Sequence, residues 1–158
     1  MTQRLVDDTP RWMRRGARAL SLACVSLVAL AVVEQAAERF TDSIDNPWWG
    51  VALGFLSAAA IGVDAVVCGV RRVEGEGPSI RNLAPGGWAA FAAMLWIVAV
   101  PAYFFGARRH VADDDRAHPR ERLTWGSWAA IAIVAAIGAW ALLGVAAGAG
   151  ASSPPPAR

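Results

Sequence analysis

Several residue types are scarce in this chain, and each scarcity excludes something. Lysine is absent, so all 15 basic residues are arginine. With alanine the commonest residue, that bias points to a GC-rich bacterial genome. Only 18% of residues are charged and the net charge is +2, which leaves no basic face with interleaved aromatics for nucleic acid. Two cysteines, Cys24 and Cys68, lie inside apolar runs rather than in an oxidising aqueous compartment, so they read as small buried hydrophobes and not as a disulfide framework. Two histidines, His110 and His118, bracket Asp113-Asp114-Asp115. Arginines interrupt that loop and no closed ligand spacing is evident, so no metal site is expected. No phosphate-cradling loop or nucleophile–base constellation is present. No catalytic residue and no cofactor are expected.

Apolar sequence is what remains. Hydrophobic residues make up 56% of the 158, and mean hydropathy is +0.37. The charges are pushed out of four apolar blocks into the connections, which is the pattern of a membrane protein. The expectation is an all-α, polytopic membrane protein with a four-transmembrane-helix bundle. Residues 1–16 form a basic leader, 17–150 the membrane domain and 151–158 a disordered, proline-rich tail. The four spans are expected at about 17–37, 48–70, 88–105 and 125–148. Asn46-Pro47 starts the second, because proline suits the first helical turn, and Pro85-Gly86-Gly87 precedes the third. Trp48, Trp49, Trp88, Trp125 and Trp128 fall at span ends, where an indole ring suits the headgroup region. Trp12, beside Arg11, Arg14 and Arg15, reads the same way, with the arginines against anionic lipid headgroups. Trp96 and Trp140 fall inside spans and are expected to pack against other helices.

Arginine placement orients the bundle in a bacterial plasma membrane. The leader and the start of the first span carry Arg4, Arg11, Arg14, Arg15 and Arg18, and the first loop only Arg39, so the N-terminus is expected in the cytoplasm. Four spans then put both termini inside, with nine arginines there and six outside. The third loop strains this layout, because Arg108, Arg109, Arg116, Arg120 and Arg122 would all lie outside. A third span that fails to cross, broken near Pro101, would remove the strain.

The stretch from Asp64 to Arg109 carries Asp64-Ala65, Arg71-Arg72, Gly87-Trp88, Leu95-Trp96-Ile97-Val98, Pro101, Tyr103 and Arg108. In that order these residues resemble a helical hairpin of small uncharacterised bacterial membrane proteins. There an Asp-Ala ends one span, a short basic loop follows, and a second span closes on a tyrosine and an arginine. Val100 and Phe104 depart from the usual Phe and Leu. The resemblance implies membrane location and no assigned activity.

Asp64 is the residue most out of place, a carboxylate about 9 Å inside the second span. A charge at the bilayer centre costs about 2.5–3.5 kcal/mol on insertion scales. Such a residue either serves a proton or cation path or pairs structurally. Arg71 and Arg18 are the expected partners. Glu34 lies near the opposite membrane face, with only Ser26 and Ser57 as polar steps between, so no continuous relay is expected. Small residues at every fourth position, Gly50, Gly54, Ala58 and Gly62 in the second span and Gly144 and Gly148 in the fourth, read as packing faces for other helices, within the chain or in a homo- or hetero-oligomer. With no catalytic group in view, the reading is a non-enzymatic accessory or scaffold subunit of a membrane complex. The alternative is a small oligomeric transporter or proton/ion-conducting protein using Asp64.

Overall fold

A computed structural model describes residues 11–40, 47–70, 72, 82–109 and 123–151. Every element among them is helical: α1 (Arg11–Phe40), α2 (Pro47–Val67), α3 (Pro85–Met94), α4 (Trp96–Pro101) continuing into a π-helical turn (Ala102–Ala107), and α5 (Trp125–Ala151). Three helices are long and apolar enough to cross a membrane, over Arg15–Ala37, Trp48–Val67 and Trp125–Ala147. The all-helical class therefore holds, as does the presence of helices of membrane-spanning length and composition. α1 begins at Arg11, so the later part of the expected leader is already helical.

Local sequence explains the helix ends. Pro47 opens α2 and Pro85 opens α3, each at a position whose N–H has no intrahelical partner. α2 closes on Gly69, the one described residue with a left-handed backbone, at φ 73°. Its N–H donates to the Val66 carbonyl, and that of Val70 donates to Ala65. This pair of bonds satisfies the terminal carbonyls, and it needs a residue without a Cβ at the reversal.

α2 is the axis of the bundle, with 56% of its span buried against 22% for α1 and for α5. Pairwise contacts give the directions. Ser21 of α1 meets Asp64 near the end of α2, while Glu34, later in α1, accepts a hydrogen bond from Trp49 at the start of α2. The two helices are therefore antiparallel. α5 is also antiparallel to α2: Ile131 lies against Gly62, Leu56 against Gly138, and Trp48 against Gly144. Close approach depends on the missing side chains. A Cβ at Gly62 would sit 2.7 Å from Ile131 and 2.8 Å from Ala89, and one at Gly86 would sit 2.6 Å from the Ser127 backbone. Small residues at these positions let the neighbouring helices approach closely, which is how helices of membrane-spanning composition pack.

The stretch expected as a single span at about 88–105 is the main departure. It is two short limbs meeting at Leu95, whose φ of −134° and ψ of 53° are not helical. The first limb rises beside α2: Gly86 lies against Ser127, and Ala89, one turn on, lies against Gly62. The second limb descends: Trp96 donates to Ser57 at 2.6 Å, and Tyr103 donates to Asp64, two turns further along α2. The Trp88 and Tyr103 rings, one from each limb, stand 5.3 Å apart edge to face. The stretch is therefore a helical hairpin whose two ends lie at the same end of the bundle. Neither glycine nor proline marks the break. It is held instead by the Trp96–Ser57 bond at the apex and by backbone bonds in which Leu95 donates to Phe91 and accepts from Val98 and Ala99. Pro101 does not break the chain; it sits inside α4, just before the π-helical turn.

Trp88 also departs from its expected place at the headgroups. It is fully buried, edge-on to Phe91 and Tyr103. Trp48, Trp125 and Trp128 are exposed at the helix ends. Trp140 keeps one face outward and sets its ring 5.3 Å from Trp48.

Candidate functional site

The polar cluster sits where α1, α2 and the descending limb converge. Asp64 is 1% exposed, and each carboxylate oxygen is engaged. Oδ1 accepts from Ser21 Oγ at 2.6 Å, from Arg108 Nη2 at 3.5 Å and from Cys68 Sγ at 3.7 Å. Oδ2 accepts from Tyr103 at 2.7 Å and faces Arg108 Nε at 3.1 Å. The guanidinium thus addresses both oxygens, a two-pronged geometry only arginine offers. Its Nη2 also donates to Ser21 Oγ at 2.8 Å, so the serine hydroxyl accepts from the cation and passes its own proton to the anion. Arg108 further lies 5.6 Å from the centre of the Phe104 ring.

The π-helical turn makes this convergence possible. Tyr103 and Arg108 are five residues apart. On an α-helix that spacing turns side chains about 140° away from each other, at 3.6 residues per turn. Here the Arg108 N–H bonds back five residues to the Tyr103 carbonyl, so the wider turn stacks the two on one face. Proline at 101 has no N–H to offer the preceding α-helical ladder, and the wide turn starts at the next residue.

Among the described residues, Asp64 is paired with a residue other than those expected. Arg18 is exposed on α1 and Arg71 lies outside the described residues. The cation that reaches the carboxylate is Arg108, because the hairpin brings the end of the second limb back beside the end of α2. Glu34 is half-buried and bonded to Trp49 at the other end of the bundle. Ser26 is exposed and bonded to its own helix at Leu22, and Ser57 bonds to Gly54 and Trp96. Neither serine links the two carboxylates.

The small residues separate into tight and loose positions. Ala58 and Gly62 are buried, and Gly144 lies against Trp48 at 3.2 Å from its would-be Cβ. Gly54 meets only Gln35, at 4.0 Å, and Gly50 is half-buried. Gly148 is within α5, but its surroundings lie outside the described residues. Gly62, selected by the four-residue spacing, is among the tightest positions at 2.7 Å; Gly86 at 2.6 Å and Gly138 at 2.9 Å are as closely held, and that spacing does not select them. His110, His118 and Asp113–Asp115 lie outside the described residues, and no group of metal-holding side chains is found among the described ones.

Chemically, the cluster is a neutral ion pair with its acceptors occupied. Asp64 faces a guanidinium, a hydroxyl, a phenol and a thiol, all of which donate to it. No imidazole stands beside Ser21 or Cys68 among the described residues to activate either as a nucleophile. What the arrangement does is tie three helical segments together through one buried carboxylate. No family model, curated protein or solved structure matches the chain.

Proposed function

We propose that this protein is a non-enzymatic accessory or scaffold subunit of a membrane complex in the bacterial plasma membrane, with its N-terminus in the cytoplasm. The observation that carries this reading is the saturation of Asp64. A carboxylate working as a proton or cation carrier must release its partners, whereas this one holds three donor side chains and an arginine fork. Beyond Arg18, the outward face of α1 is mainly apolar, as is that of α5, with Leu22, Val33, Ile133 and Leu143 among the exposed side chains. Such faces suit lipid and other membrane helices alike.

The alternative, a small oligomeric transporter or proton/ion-conducting protein using Asp64, draws support from the helix break at Leu95. Broken helices at mid-depth form ion and substrate sites in transporters. Here, however, the break carries Met94, Leu95, Ile97 and Val98 on its exposed side, and these bring no ligating group to it. The test is purification from native membranes in mild detergent, followed by mass and composition analysis. A stoichiometric second protein is the expected result. A pure homo-oligomer whose ion flux is lost on Asp64→Asn would overturn the accessory reading in favour of transport.

A further inference from the structure

We propose that residues 85–107 enter and leave the membrane from the same side, so that the chain crosses three times and its C-terminus lies opposite its N-terminus. This rests on the membrane reading above. Three observations carry it.

The first is length. α3 has 10 residues and the stretch from Trp96 to Ala107 has 12. At 1.5 Å per residue these limbs reach about 15–18 Å, against a hydrocarbon core of about 30 Å. The apex lies at Ser57, the middle of α2, which places it near half-depth.

The second is direction. Gly86 at the start of the hairpin meets Ser127 at the start of α5, and Arg108 at its close meets Ser21 and Asp64. All of these lie at the end of the bundle that holds the beginning of α1 and the end of α2. Backbone that leaves a helix at membrane depth must find its bonds within the protein. Leu95 does so through both its N–H and its carbonyl.

The third is charge. A crossing at 88–105 leaves the arginines split between the two sides, with Arg108, Arg109, Arg116, Arg120 and Arg122 outside. A hairpin returns them to the cytoplasmic side, where every arginine except Arg39 and Arg158 then lies. That is the asymmetry by which loop arginines set orientation. It puts the arginines of the leader and of both long loops on the side of the anionic cytoplasmic leaflet, which attracts them.

The experiment places single probes in the full chain, Asp114→Cys in one variant and Ser153→Cys in another, with a membrane-impermeant maleimide applied to intact and to permeabilised cells. The expected result is that Asp114→Cys labels only after permeabilisation and Ser153→Cys labels in intact cells. Labelling of Asp114→Cys in intact cells, or protection of Ser153→Cys there, overturns the hairpin topology. A carbonate wash of the same membranes separates the two failures. Chain retained in the pellet with the reversed pattern defeats the hairpin alone, and chain released to the supernatant defeats the membrane reading with it.

Discussion

Removing the cation at position 108 is the perturbation with the clearest expected magnitude. In Arg108→Met, Asp64 keeps its bonds to Ser21 and Tyr103 but loses the only charge facing it among the described residues. Breaking a buried ion pair from one side costs about 3–5 kcal/mol, because the remaining charge is left uncompensated. Asp64→Asn is milder. The guanidinium left behind is 31% exposed and can turn towards water, so the loss is close to that of hydrogen bonds to a charged group, about 1.5–3 kcal/mol. The double variant Asp64→Asn/Arg108→Met leaves no uncompensated charge. It should therefore cost less than the sum of the single changes by about 1–3 kcal/mol, in the range of coupling between residues in contact. The assay is reversible unfolding in mixed micelles, followed by near-ultraviolet circular dichroism, which the 8 tryptophans make sensitive. Additivity within about 0.5 kcal/mol would show that the two side chains do not act as a pair, and the account of the cluster would fail.

Two further outcomes follow from the same contacts. Tyr103→Phe removes a donor at 2.7 Å from a buried carboxylate and should lower unfolding stability by about 1.5–3 kcal/mol, with the ring packing against Trp88 retained; a change under about 0.5 kcal/mol would sink that assignment. Gly62→Ala forces a methyl to within 2.8 Å of both Ile131 and Ala89 and should cost about 1–3 kcal/mol, whereas Gly54→Ala, with only Gln35 at 4.0 Å, should be near neutral in the same assay.

The three long helices were legible in the sequence because membrane insertion writes itself as uninterrupted apolar length, and α1, α2 and α5 carry that length plainly. Asp64 was legible for the same reason, as a charge where none should be. Its partner was not. Nearness along the chain and similar depth favoured Arg71 and Arg18, whereas Arg108 arrives through a fold-back that no glycine or proline at Leu95 announces. Apolar limbs of 10 and 12 residues, read end to end, look like one span. The five-residue spacing of Tyr103 and Arg108 hid their partnership as well, since it joins side chains only on a π-helical turn. The surplus of arginines in the third loop is the sequence feature that weighed against a crossing there. In the structure Asp64, Tyr103 and Arg108 meet at one carboxylate.

The choice between crossing and folding back is where a buried ion pair does more than hold the fold. Both limbs are apolar, and hydrophobicity alone would let residues 85–107 run across the membrane as one helix. An uncrossed hairpin is selected when something at its far end must return to its starting side, and Arg108 is that group: it finds its counter-ion only beside α2's final turns. Replacing a buried pair by apolar side chains is often neutral or stabilising, so the pair's contribution to net stability is small. Its contribution to choosing one arrangement is separable and measurable. In Asp64→Leu/Arg108→Leu, unfolding stability should fall by less than in Arg108→Met alone, because no uncompensated charge is buried. Yet the Asp114→Cys probe should then label partly from outside, as molecules with a crossed third segment appear beside hairpin molecules. Labelling that stays wholly cytoplasmic in that variant would mean that glycine-mediated packing at Gly62 and Gly86 directs the hairpin without help from the pair.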